Sequence, residues 1–209
     1  MADLQEISEL LQKGRAKETV DKVRAALDEG VPAETILNDG LLAGMAVIGE
    51  KFKKNEVYVP EVLIAARAMN QATETLAPAL AEAGVQPKGK LVLGTVKGDL
   101  HDIGKNLVGM MFKGGGFEVV DLGIDVATEK FVEAVQEHDA KLLGLSALLT
   151  TTMPGMKDVV AAVRAAGADC KILIGGAPVT QAYADEIGAD GYAPDAASAV
   201  DLGRELAGA

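Results

Sequence analysis

The chain has 209 residues, 49% of them apolar, a formal charge of −11 and one cysteine. That charge disfavours a nucleic-acid or anionic-membrane surface, which needs clustered Lys and Arg, and one cysteine excludes an internal disulfide framework and Cys-based zinc or iron–sulfur sites. No apolar run approaches the ~20 residues of a membrane span, and Met1-Ala2-Asp3-Leu4-Gln5-Glu6 lacks the basic end and apolar middle of a signal peptide. A cytoplasmic protein with no nucleic-acid or membrane partner is expected.

From Ala2 to about Gly84 the apolar spacing is helical. Leu4, Ile7, Leu10 and Leu11 define a first helix. Val20, Val23, Ala26 and Leu27 define a second, with Gly30 as its stop. Pro32 precedes a third over Ile36–Phe52, where a first turn tolerates proline. Asn55 breaks it, and Pro60 opens a fourth that runs to about Ala83. Short connections make this a small antiparallel bundle. Gly84-Val85-Gln86-Pro87-Lys88-Gly89 reads as a linker.

Beyond Lys90 the pattern changes to short continuous apolar runs: Leu91–Val96, Phe117–Leu122, Leu142–Ser146, Lys171–Gly175 and a shorter one at Asp190–Ala193. Helical segments separate them. Strands that are continuously apolar and alternate with helices make a parallel sheet covered on both faces. The fold class is therefore α/β: an N-terminal four-helix bundle over 1–86, then a doubly wound, flavodoxin-like five-stranded parallel sheet over 90–209. Cys170, at the start of the fourth run, reads as a small buried apolar residue.

In such sheets ligands bind beyond the carboxyl ends of the strands, where strand order reverses. For a 2-1-3-4-5 order that place lies between the Lys97–Ile103 and Ala147–Met153 loops. The first carries Asp99, His101 and Asp102; the second follows Ser146 and carries Thr150, Thr151 and Thr152. His101 is one of two histidines, and can be read as a surface or capping residue or as a ligand. As a ligand it has Asp99 two residues away to accept a bond from its other ring nitrogen, fixing the tautomer. Thr152 could support that carboxylate. A single histidine cannot hold a bare metal ion, so a metal here would arrive inside a macrocyclic chelate. His138, at a polar helix end, reads as solvated.

Gly98-Asp99-Leu100-His101-Asp102-Ile103-Gly104-Lys105-Asn106 resembles the Asp-x-His-x-x-Gly signature of cobalamin-binding domains. Gly144-Leu145-Ser146-Ala147-Leu148-Leu149-Thr150, Ile174-Gly175-Gly176-Ala177-Pro178 and Gly191-Tyr192-Ala193-Pro194 extend the likeness in the order that family shows. In the helical half, Gly44–Phe52, Tyr58–Val62 and Ala66–Met69 resemble the bundle that caps the corrin. The whole chain resembles the small corrinoid proteins of methyltransferase systems and the corresponding module of cobalamin-dependent methionine synthase.

The resemblance implies a cobalamin or related corrinoid in its methylcobalamin form, with His101 ligating cobalt, Asp99 hydrogen-bonded to His101 and Thr152 completing the relay. It implies that Asp102, Gly104, Ser146, Leu148, Thr150, Gly175, Gly176, Tyr192 and Ala193 hold the cofactor and its displaced nucleotide tail. It also implies that Phe52, Val59 and Val62 form an apolar lid. Without it, the glycines read equally as turn punctuation, and Phe52, Val59 and Val62 as bundle core. The implied function is a methyl carrier in one-carbon metabolism rather than a stand-alone enzyme. Its partners would be a substrate-specific methyltransferase, an acceptor methyltransferase using a tetrahydrofolate or coenzyme M type acceptor, and a reductive activase. Two alternatives share the signature: the cobalamin-binding subunit of an adenosylcobalamin mutase, which lacks the capping bundle, and a cobalamin-dependent sensor, which needs an output module.

Overall fold

The structure, a computed structural model, describes residues 3–208; Met1, Ala2 and Ala209, the ends of the expected segments, lie outside them. Two compact units divide between Pro87 and Lys88, with Lys113–Gly116 grouped with the first. Among the described residues, no helix is long and apolar enough to cross a membrane.

The first unit is helical: α1 (Leu4–Gln12), α2 (Ala16–Asp28), a continuous rod made of α3 (Ala33–Thr35), a π-helical stretch (Ile36–Leu42) and α4 (Ala43–Lys53), and α5 (Val59–Glu82). Asp3 starts α1 by accepting the Gln5 and Glu6 amides on its carboxylate, which satisfies donors that the first turn leaves orphaned. Before α5, Glu61 accepts the Tyr58 amide at 3.0 Å, and Pro60 occupies the first turn, where its missing N–H is harmless. Of the apolar spacing read from the sequence, Ile7, Leu11, Val23, Ala26 and Ile36 are each at most 1% exposed, as is Leu76 of α5, while Leu4, Leu10, Val20 and Leu27 are half-buried. Helix α1 packs on the π-helical stretch and α4, and α2 packs on α5.

The third rod is not uniformly α-helical as expected, because seven residues form i→i+5 turns. Small residues bring α1 close to it. A Cβ at Gly40 would lie 3.2 Å from Ile7, and one at Gly44 would lie 3.1 Å from Leu11.

The second unit is a parallel five-stranded sheet in the order β2-β1-β3-β4-β5. Its elements are β1 (Lys90–Thr95), α6 (Ile103–Gly114), β2 (Glu118–Asp121), α7 (Thr128–Glu137), β3 (Leu142–Ser146), α8 (Pro154–Ala165), β4 (Lys171–Gly175), α9 (Gln181–Ile187), β5 (Gly191–Tyr192) and α10 (Ala196–Ala207). Strand β3 is buried along Leu142–Leu145, as a strand covered on both faces requires. Cys170 lies immediately before β4, not within it, and is buried among apolar neighbours such as Val163 and Ile172; burial pushes its thiol up to about 12, so it stays protonated and unreactive.

The register aligns three functionally suggestive positions in one row at the carboxyl edge: Thr95 pairs with Ser146, and Ser146 with Gly175. Order reverses between β1 and β3, so the loops after these two strands flank the ligand-binding position of an open α/β sheet.

Candidate cofactor site

The chain leaves β1 at Thr95 and turns through Gly98, whose φ of 83° is cheap only for glycine. This turn sends Asp99 back under the strand ends, where it is completely buried. Its two oxygens are used separately. Oδ1 accepts the His101 amide at 3.1 Å and lies 2.7 Å from His101 Nδ1. Oδ2 accepts the Leu148 amide at 2.8 Å, the Leu149 amide at 3.2 Å and the Thr152 hydroxyl at 2.7 Å. Asp99, His101 and Thr152 therefore meet. The Leu148 and Leu149 amides are an addition: backbone donors leave no side-chain signature in a sequence.

Burial alone would push the Asp99 carboxyl up, but the bonds from Thr152, Leu148 and His101 outweigh it and hold the group well below the usual carboxylate range. An ionised carboxylate only accepts hydrogen bonds, so the 2.7 Å contact assigns the proton to His101 Nδ1. In the neutral ring Nε2 then keeps its lone pair. Thr95, buried at the end of β1, donates its hydroxyl to the His101 carbonyl at 2.9 Å, so the backbone that carries the imidazole is fixed from a second side. The imidazole itself is half exposed.

The surroundings suit a metal carried in an organic ring. Leu100, Ile103, Leu148 and Leu149 are large apolar residues between 41% and 78% exposed, on the same two loops; isolated in water they would be unfavourable, and a flat apolar ligand would cover them. A Cβ at Gly104, in the first turn of α6, would meet nothing within 4 Å. Among the described residues no group of three or more His, Cys, Asp or Glu could hold a metal ion. One free histidine nitrogen within an apolar rim fits a corrinoid, whose macrocycle supplies the equatorial donors.

The other expected residues distribute as follows. Asp102 is exposed and accepts the Asn106 side-chain amide at 3.1 Å, with its carbonyl accepting the Asn106 amide at 2.7 Å, an arrangement that starts α6. Ser146 and Gly175 are half-buried in the aligned row, and Thr150 is exposed. Tyr192 is half-buried and pairs with Ile174, while Ala193 is buried. Gly176 has a local reason to be glycine: its φ is 137°, and a Cβ would stand 1.8 Å from the Ala147 carbonyl oxygen. In the helical unit, Phe52 near the end of α4 and Val59 at the start of α5 are half-buried, and Val62 is fully buried. His138 caps the C-terminus of α7, away from the carboxyl edge.

Known proteins match this arrangement over the whole chain. Residues 89–201 match a family described as a B12 binding domain, and residues 3–77 match a second family of that description. The dimethylamine corrinoid protein 3 of Methanosarcina acetivorans is 43% identical over 197 residues, covering 93% of this chain and 91% of that one. A cobalamin-binding protein from Desulfitobacterium hafniense, known from its crystal structure, is 34% identical with a TM-score of 0.80, covering 99% of both chains. A chain of the methanol:cobalamin methyltransferase complex from Methanosarcina barkeri is 30% identical with a TM-score of 0.86, covering 97% of this chain and 78% of that one. With the relay, the apolar rim and both family matches in place, the chain belongs to the B12-binding corrinoid proteins of methyltransferase systems.

Proposed function

We propose that this protein is a corrinoid methyl carrier in which His101 Nε2 is the protein ligand to cobalt. The observation that carries the proposal is the buried Asp99 carboxylate, which accepts the Nδ1 proton of His101 at 2.7 Å and so leaves Nε2 free. Bound there, a corrinoid would supply a cobalt able to carry a methyl group between two methyltransferases. Everything else is the work of the chain. Asp99 orients the imidazole and fixes its tautomer. Thr152 and the Leu148 and Leu149 amides hold Asp99 ionised.

On this reading Gly104, Ser146, Leu148, Thr150, Gly175, Gly176, Tyr192 and Ala193, with Asp102 at the entrance to α6, hold the nucleotide tail at the carboxyl edge. Residues 1–86 form the bundle that caps the corrin on 90–209, with Phe52, Val59 and Val62 as its apolar lid excluding water. The partners are a donor methyltransferase, an acceptor methyltransferase and a reductive activase, all in the cytoplasm. A mutase subunit or sensor is not favoured, because both B12-binding families match side by side and the relatives are methyltransferase-system corrinoid proteins.

The test is reconstitution with methylcobalamin, followed by methyl transfer with candidate dimethylamine and methanol methyltransferases, for wild type and His101→Gln. The proposal expects the wild type to bind, to change the cobalamin spectrum and to transfer methyl, and His101→Gln to lose the spectral change and most of the transfer. An unchanged spectrum and rate in His101→Gln would contradict it.

A further inference from the structure

We infer that Asp125, in the loop after β2, is a positioning residue for the Asp99–His101 pair, acting through the hydrogen bond its side-chain oxygen accepts rather than through its charge. The inference rests on the reading of His101 as the ligand but concerns a residue outside the signature. Three non-glycine residues among those described adopt a left-handed backbone: Asn55, Asp125 and Asp139. Two of them simply end helices. Asn55 follows α4, with its amide donating to Phe52 and the next amide to Lys51. Asp139 follows α7, with its amide donating to Gln136 and that of Ala140 to Val135. Such left-handed residues close carbonyls that a helix end leaves unpaired.

Asp125 ends no helix. Its φ of 53° is a conformation that glycine adopts more readily than aspartate, yet the residue carries a side chain, and both its side chain and its backbone are spent on the His101 loop. Oδ1 accepts the Gly98 amide at 2.7 Å. Its own amide donates to the Asp99 carbonyl at 3.1 Å. Asp125 thus brackets residues 98 and 99, the turn that carries the Asp99 carboxylate into the strand ends.

The loop that presents Asp125 is itself anchored. Thr95 donates its amide to the Gly123 carbonyl and accepts the Val126 amide, each at 3.0 Å. At the loop's start, Asp121 accepts Lys105 at 2.5 and 2.6 Å on its two oxygens and the Gly123 amide at 2.9 Å; Lys105 is 3% exposed. A brace mounted on a fixed loop transmits position, and a displacement of the 98–99 turn would move Asp99 relative to both His101 and Thr152.

The backbone and side-chain contributions separate cleanly. Asp125→Gly keeps the left-handed backbone and the amide to Asp99 but removes the acceptor for Gly98. Asp125→Asn keeps an acceptor oxygen and tolerates the same φ, but removes the charge. Asp139→Gly makes the glycine change at a left-handed aspartate on a helix end.

The experiment uses the full chain without cofactor, labelled with nitrogen-15, at about pH 8, where an ordinary histidine ring is neutral. The chemical shifts of the His101 ring nitrogens report which of them carries the proton. A second arm titrates hydroxocobalamin into each protein. Wild type, Asp125→Asn and Asp139→Gly are expected to hold the proton on Nδ1 and to bind alike. Asp125→Gly is expected to populate the Nε2–H tautomer and to bind about fivefold more weakly, the size expected for one lost hydrogen bond. A wild-type tautomer in Asp125→Gly, or equal damage in Asp125→Asn, would overturn the inference. If His101 is not the cobalt ligand, wild type and Asp125→Gly bind hydroxocobalamin alike, while the tautomer arm still decides the role of Asp125.

Discussion

Two carboxylates in the sheet unit are held below their ordinary range by different means. Asp190, before β5, accepts the Ile172 amide at 2.7 Å, the Arg164 guanidinium at 2.5 Å and the Lys171 ammonium at 3.4 Å. Burial raises its carboxyl, and the Ile172 amide and Arg164 more than reverse that. Arg164 is fastened in turn by the Cys170 carbonyl at 2.8 Å. Asp99, at the opposite edge, is pulled down by a hydroxyl, by backbone amides and by the His101 ring. Neither Lys nor Arg is among its hydrogen-bond donors in the described residues. A carboxylate closed by full cations is a staple: its charge is already neutralised locally. One held by neutral donors keeps its charge available to a single imidazole. The same residue type sits in a cation-closed network at one edge of the sheet and beside a single imidazole at the other.

Asp99→Asn should separate the two most sharply. An amide cannot accept on both ends, so its NH2 must face either His101 Nδ1–H or the donors on Oδ2. A loss of about 3 kcal/mol in urea unfolding is expected, the upper range for hydrogen bonds to a charged group, together with weakened corrinoid binding. Asp190→Asn should lower stability by about 2 kcal/mol yet leave corrinoid affinity unchanged; a change in affinity would break the distinction. Thr152→Val, which removes one of three donors on Oδ2, should lower stability by about 1 kcal/mol and weaken the spectral change on corrinoid binding without abolishing it.

Acid and salt sharpen the contrast further. Both carboxyls have folded pKa values below the ordinary 3.8. The stability they add is therefore complete above that value and drains away as pH falls below it. Acid unfolding followed by circular dichroism should be shallower in Asp99→Asn and Asp190→Asn than in wild type. The smallest effect is that of salt. Arg164 and Lys171 are 39% and 51% exposed, so 1 M NaCl should screen the Asp190 network by about 0.5 kcal/mol, measurable as a smaller Asp190→Asn penalty. The Asp99→Asn penalty should not move.

Much of this arrangement was legible in the sequence, for physical reasons. Continuous apolar runs marked all five strands to within a residue or so, most plainly β1, β3 and β4, because strands buried on both faces leave no room for polar alternation. The spacing of Asp99 and His101 placed a carboxylate beside an imidazole, and the 2-1-3-4-5 order brought Thr152 to them from 53 residues away. The π-helical stretch at Ile36–Leu42 was not legible, since apolar spacing reports which face is buried and not which carbonyl each amide chooses. Asp125 was missed for a similar reason: its role depends on a loop's backbone meeting another loop. Gly176 shows the opposite hazard. It reads as clearance for a ligand, but the Ala147 carbonyl already demands a glycine there.

The central claim is that His101 Nε2 ligates the cobalt of the bound corrinoid. The most direct measurement is electron paramagnetic resonance of cob(II)alamin bound to protein labelled with nitrogen-15 in histidine. A histidine ligand splits each cobalt line into a doublet, whereas the cofactor's own unlabelled base gives a triplet. The account predicts doublets in the wild type and their loss in His101→Ala. Triplets in the labelled wild type, or doublets that survive His101→Ala, would contradict it.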